Sequence, residues 1–142
     1  MHFRSLIESV RSAIGTKWHR PDLDVEHDEI KRTAKELGIH HDKLRKAVEA
    51  GRLGKLGEKH WANMDNTDSH GTDTVRKANK KAKEYGRDIG SIHKALKSGT
   101  SLPAPIVLHR KGEKPYLIGG NTRLMAARAH GHQPRVLKVH LK

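Results

Sequence analysis

The chain has 142 residues, no cysteine, 34% apolar and 4% aromatic residues, and a formal net charge of +13. That length suits one domain or two small ones with a lean aliphatic core. Disulfides and thiolate metal sites are excluded, which points to a reducing, cytoplasmic setting, and no apolar run nears the roughly 18 residues that span a membrane.

The charge is unevenly placed. Residues 1–75 hold 13 Lys/Arg and 13 Asp/Glu, whereas residues 76–142 hold 16 Lys/Arg against three acids, Glu84, Asp88 and Glu113. All the excess positive charge therefore falls in the second half, the footprint expected of a nucleic-acid partner, with DNA favoured.

In chain order, Phe3, Leu6, Ile7, Val10, Ala13 and Ile14 predict a short amphipathic helix over residues 1–14, ended by Gly15. Its apolar face suits packing on the rest of the fold or on a twin subunit, so a homo-oligomer is one expectation. Residues 16–23, with Trp18 and Pro21, read as a linker. Residues 24–38 predict a helix with Ile30, Ala34 and Leu37 on one face and Gly38 as its stop. Asp42 is expected to cap a second helix carrying Leu44, Ala47 and Val48, which Gly51 ends.

Residues 30–48 resemble a helix-turn-helix. Ala34 allows a close crossing, Gly38 makes the turn, and Ile39, Leu44 and Val48 follow as apolar contacts. In that reading Lys43, Arg45 and Lys46, with His40 and His41, open the recognition helix and reach DNA. A plain two-helix hairpin has the same pattern, and the neutral charge of the region fits it.

Residues 52–73 are rich in Gly, Asn, Asp, Ser and His and predict a long loop or domain boundary. The expected division is 1–71, helical, and 72–142. His60, Asp65, Asp68, His70 and Asp73 offer metal-ligating atoms, but at no standard spacing, so the sequence assigns no metal.

Thr72 or Asp73 is expected to cap the next helix. Val75, Ala78, Ala82, Tyr85, Ile89, Ile92 and Leu96 alternate at spacings of three and four, one continuous apolar face that Gly86 and Gly90 split into two helices. The other face carries Arg76, Lys77, Lys80, Lys81, Lys83 and Arg87. It is the candidate surface for DNA phosphates.

Beyond residue 102 the pattern turns to strands. Ile106, Val107 and Leu108 lead to a hairpin around Gly112, and Tyr116, Leu117 and Ile118 form a short buried strand. Gly119 and Gly120 permit a tight turn or a close backbone approach, and Asn121 or Thr122 suits the cap of a helix with Leu124, Met125, Ala127 and Arg128 on one face. Gly131 ends it, and residues 136–141 close the sheet. His109, His130, His132 and His140 read as surface or packing residues. A helix N-terminus behind two glycines, with Arg123 in its first turn, suits an anion. It is no P-loop, since the Gly-Lys-Ser/Thr ending is absent. Spacing alone leaves two readings, a phosphate pocket or an ordinary strand-to-helix turn.

Taken together, residues 88–142 resemble the ParB/sulfiredoxin-like domain, often called ParB-like nuclease. Residues 89–99 are similar to the helix that opens its nucleotide pocket, residues 102–108 to the next strand, and Gly120-Asn-Thr-Arg123 to its Gly-x-x-Arg signature. The resemblance implies an α+β protein, a helical N-terminal half followed by a small mixed sheet-and-helix domain. It also implies a nucleotide, ATP or CTP with Mg²⁺, held by Gly119, Gly120, Asn121, Thr122 and Arg123, with Lys97, Ser98, Gly99, Thr100 and Ser101 on the other wall. Sulfiredoxin chemistry is excluded, because Asn121 stands where its cysteine would be. The Glu- and Asn-bearing motif of CTP-switching ParB proteins is absent from these residues, and Ala104 replaces the usual Gln of their first motif. Three functions stay open: a nucleotide-responsive DNA-binding protein, an enzyme on the same fold (nuclease, or ATP-dependent phosphotransferase or hydrolase) with Asp88 as base or Mg²⁺ ligand, and a non-catalytic accessory protein of the phage or mobile-element kind.

Overall fold

The computed structural model describes residues 17–67, 69–70 and 72–141. The predicted helix over residues 1–14 and Asp68 lie outside them. Chain order gives β1 (Trp18–His19), α1 (His27–Leu37), α2 (His41–Glu49), β2 (Arg52–Gly54), α3 (Glu58–Ala62), α4 (Val75–Glu84), α5 (Gly90–Ser98), β3 (Leu102–Pro103), β4 (Ile106–Arg110), β5 (Tyr116–Gly119), α6 (Asn121–Ala129) and β6 (Val136–Leu141). The fold is mixed α and β.

Two compact units interleave along the chain. A sheet unit gathers Arg20–Thr67, Pro103–Gly120 and Arg135–Lys142, and a helical unit gathers Asp68–Leu102, Asn121–Pro134 and the described residues up to His19. The expected division at residue 71 is thus corrected. Backbone pairing between segments far apart in sequence, not chain order, sets the boundaries.

In the sheet unit the strand order is β2-β6-β4-β5. β4 runs parallel to β6, with Ile106 opposite Leu137 and Leu108 opposite Val139. β5 returns antiparallel to β4 through the expected turn at Gly112, and β2 lies antiparallel to β6, so the N-terminal half is not purely helical. One face of the sheet carries both α1 and α2. Ile30, Ala34, Leu44 and Val48 share a core with Ile106, Leu108, Ile118, Leu137 and Val139. Each of the Ile, Leu and Val side chains contributes roughly 1.5–3 kcal/mol by leaving water.

The hairpin of α1 and α2 forms for local reasons. Gly38 takes a left-handed φ of 66°, and the N–H groups of Gly38 and Ile39 donate to the carbonyls of Lys35 and Ala34. That closes α1 with its C-terminal carbonyls satisfied. The turn is so short that α2 opens at His41, and His40 is its cap, its ring accepting from the Asp42 N–H at 3.3 Å. Asp42, the expected cap, lies inside the first turn instead, where its charge favours the helix dipole.

Residues 52–73 are not the structureless loop that their composition predicts. Leu56, Trp61 and Met64 are buried. Asp65 continues the β5 edge, its N–H donating to the Pro115 carbonyl at 2.7 Å and its carbonyl accepting from Leu117 N–H at 3.0 Å. Three apolar residues are enough to anchor a polar stretch to a sheet.

In the helical unit, α6 packs against both α4 and α5. Ala78, Ala82, Ile89, Leu96, Leu124, Met125, Ala126 and Ala127 form the interior. Thr74 caps α4, its hydroxyl accepting from Lys77 N–H at 3.2 Å. The expected caps do other work: the Thr72 hydroxyl is buried and donates to the Ser69 carbonyl, and Asp73 pairs with Lys77. Trp18 belongs to no linker. It is buried, and its indole N–H donates to His132 Nε2 at 2.9 Å, while the Lys17 carbonyl accepts from Leu102 N–H at 3.0 Å.

Candidate nucleic-acid interface and phosphate turn

The basic face of α4 is built as the spacing predicts. Ala78 and Ala82 turn inward, so Arg76, Lys77, Lys80 and Lys83 are exposed on the other side. Arg76, Lys80 and Lys83 make no ion pair among the described residues. Lys77 is partly neutralised at 3.0 Å by Asp73, whose carboxyl is held below its usual range first by that hydrogen bond. Lys81 is half-buried, its ammonium 3.4 Å from the His70 carbonyl. Arg87, also half-buried, lies over the Tyr85 ring, 5.3 Å from its centroid.

Two members of the predicted apolar face are absent from the interior: Val75 is 39% and Tyr85 54% exposed. For Tyr85 the reason is geometric. α4 stops at Glu84, and Gly86 takes a φ of 64°, which turns the chain before Tyr85 can pack.

On α2 the electrostatics differ. Lys43 and Lys46 are exposed, but so are Asp42 and Glu49. Arg45 is held within the unit by Asp24 at 3.1 Å and Glu49 at 3.5 Å. Leu44 and Val48 anchor this helix to the sheet, and its outer face is balanced in charge.

The glycine turn joins the two units, the sheet unit ending at Gly120 and the helical unit resuming at Asn121. On the sheet side Gly119 is buried, and a Cβ there would sit 2.9 Å from Glu26 Oε2. Glu26 is itself only 6% exposed. A Cβ at 119 would therefore require the Glu26 carboxylate to shift. Gly120 has a φ of 90°, which strains any other residue. On the helical side Asn121 is the first residue of α6 and not its cap. The first turn holds no acid, and Arg123, half-buried, supplies a positive charge there.

Residues 97–101 close α5 rather than open a helix. Gly99 and Thr100 N–H donate to the carbonyls of Leu96 and Ala95, Ser98 Oγ lies 2.7 Å from Thr100 Oγ1, and Ser101 Oγ lies 2.7 Å from His19 Nδ1. This is the carbonyl pole of a helix, which favours cations; of the five residues, Lys97 brings charge suited to phosphate.

Asp88 has a structural duty. Its carboxylate accepts from Gly90 N–H at 3.1 Å and from the Ser91 hydroxyl at 3.3 Å, holding the start of α5. Among the described residues no three His, Asp or Glu side chains are grouped to hold a metal.

A buried polar chain went unseen in the sequence. His93 Nε2 lies 2.8 Å from Asn79 Oδ1, and His93 Nδ1 lies 2.9 Å from His130 Nε2. With the amide so oriented, its oxygen can only accept. His93 then carries its proton on Nε2, and His130 donates to Nδ1. Burial, then His130 and Lys97, hold His93 down to about 4; burial and Lys97 also lower His130. The available signal was position: Ile89, His93 and Leu96 share one face of α5. In the sheet unit, His109 lies between His60 and His140 at ring separations of 5.2 and 5.1 Å. Burial first, then His140, His60 and Lys138, keep it near 4.

No family model, curated protein or solved structure matches this chain. Among the described residues, no helix is long and apolar enough to cross a membrane.

Proposed function

We propose that the chain is a nucleotide- and DNA-binding protein of ParB-like type, and that α4 holds the nucleic-acid backbone. The observation that carries this reading is the outer face of α4, where Arg76, Lys80 and Lys83 are exposed and make no ion pair among the described residues. From 75 to 98 the chain has eight Lys/Arg against two acids, a surface that suits phosphate backbone without reading sequence. The balanced face of α2 makes the hairpin the weaker DNA candidate.

Fluorescence anisotropy with labelled DNA across a salt series tests the reading. The triple variant Arg76→Glu, Lys80→Glu, Lys83→Glu is expected to bind at least about tenfold more weakly and to flatten the salt slope by roughly three phosphate contacts. Lys43→Glu with Lys46→Glu should change little. Equal binding by the α4 variant and the parent would sink the reading.

The nucleotide part rests on the α6 N-terminus, with its acid-free first turn and Arg123. ATP or CTP with Mg²⁺ is the ligand class, and calorimetry of the parent against Arg123→Ala is its test. An enzyme reading through Asp88 has less support, because that carboxylate is occupied at the start of α5.

A further inference from the structure

We propose that Tyr85 is a stacking platform for an unpaired base, which makes single-stranded nucleic acid the ligand of the α4 surface. The proposal rests on the backbone-binding role of α4 and adds what that role lacks, a contact to a base.

Three observations meet at this residue. Tyr85 is the one exposed aromatic among the described residues, at 54%. A single exposed ring needs no special account, so exposure alone decides nothing. Its location does. It sits at the C-terminal end of α4, two residues beyond Lys83, where Gly86 redirects the chain. The Arg87 guanidinium then lies over the ring at 5.3 Å, within the range of an attractive cation–π contact. A cation on one face steadies the ring and leaves the other for a base.

Arg87 also lines an open, shallow groove of about 520 Å³ with Lys83, Gly86 and Asp88, although Tyr85 is not one of its walls. That volume lies within the range of small-ligand clefts, roughly 300–1,000 Å³. An exposed ring with Arg87 against it, two residues from Lys83 in sequence, matches the combination that single-strand binders use, a positive track for phosphates and an aromatic for bases. In a duplex the bases are already stacked on one another and give Tyr85 nothing. Stacking is sequence-tolerant, since every base has a π-face, so no base code is required of this surface.

The test uses the full chain with labelled oligo-dT, oligo-U and a duplex at equal phosphate concentration and salt. The parent is compared with Tyr85→Ala, Tyr85→Phe and Tyr85→Trp. Loss of the ring in Tyr85→Ala should weaken single-strand binding about tenfold, with the salt slope and duplex binding unchanged. Tyr85→Phe should bind like the parent, and in Tyr85→Trp the difference emission against the parent should be quenched by a single strand and not by the duplex. The stronger of oligo-dT and oligo-U identifies DNA or RNA as the source. If Tyr85→Ala binds single strands as the parent does, or loses duplex affinity equally, the stacking role is wrong. Charge reversal on α4 separates the failures: if it still weakens binding, only the stacking proposal falls, and if it does not, the backbone role falls with it.

Discussion

Among the described residues, nine of the twelve largest wholly buried side chains belong to the sheet unit, and Leu96, Leu124 and Met125 belong to the helical one. The helical unit completes its described interior with alanines and with the buried pair His93 and His130, which the exposed Asn79 meets at its outer end. The sheet unit also has a depressed histidine, but His109 stands half-buried rather than in the core cluster. The two units thus reach compactness differently, one by aliphatic volume and the other by small residues and buried polar groups. A surface crowded with like charge repels itself, and among the described residues the unit that carries α4 has fewer large buried side chains to oppose that repulsion.

The largest expected effect tests the aliphatic side. Leu108→Ala should cost about 3 kcal/mol in urea denaturation, a cavity at the centre of a four-stranded sheet. A loss under about 1 kcal/mol would mean that the sheet core collapses around the gap and is softer than described.

A pH series tests the polar side. His93 is held to about 4 in the folded chain and titrates near 6.5 when unfolded. Between those values the unfolded chain binds more protons, so stability is complete above about pH 6.5 and falls as pH drops towards 4. From pH 7 to pH 5 the loss from this group is about 2 kcal/mol, and His109 adds in the same direction. His93→Gln should flatten the slope while His109→Gln flattens it separately. An unchanged slope in His93→Gln would show that the buried chain does not titrate with folding.

The smallest effect is local. Thr74→Ala removes the α4 cap and should cost about 1 kcal/mol, read as faster hydrogen exchange across α4 and not in the sheet. Equal acceleration in both units would show that the cap acts on more than α4.

Periodicity revealed what is made of long apolar repeats: α1, the inner faces of α4 and α5, the β4–β5 hairpin and β6 lie where the spacing put them. Gly38 and Gly112 were also readable, because tight turns of that kind select glycine. Tertiary contacts decided the rest. Glu26 beside Gly119, His93 beside His130 and Trp18 beside His132 are partners far apart in sequence, and no window of residues contains them. Over 52–73 composition pointed to a long loop or domain boundary. A unit boundary does fall there, after Thr67, but buried Leu56, Trp61 and Met64 and a short helix give the stretch more structure than a loop. At Tyr85 the apolar pattern continued one residue past the point at which the backbone turned. The candidate site was partly legible. The α4 cations were found by charge alone, whereas the occupied carboxylate of Asp88 and the carbonyl pole at 97–101 needed coordinates.

The order of the sheet, β2-β6-β4-β5, has a consequence for how the chain is made. β6 separates β2 from β4, yet it is the last of the four to be synthesised. While a ribosome is still short of Val136, the β4–β5 hairpin has one edge without its neighbour and β2 has no strand to join. Unpaired edges of this kind invite pairing with other chains. Folding of the sheet must therefore wait for the whole segment through Leu141, and long-range closure of that sort is slow. The nascent chain is at its most vulnerable just before its last strand appears.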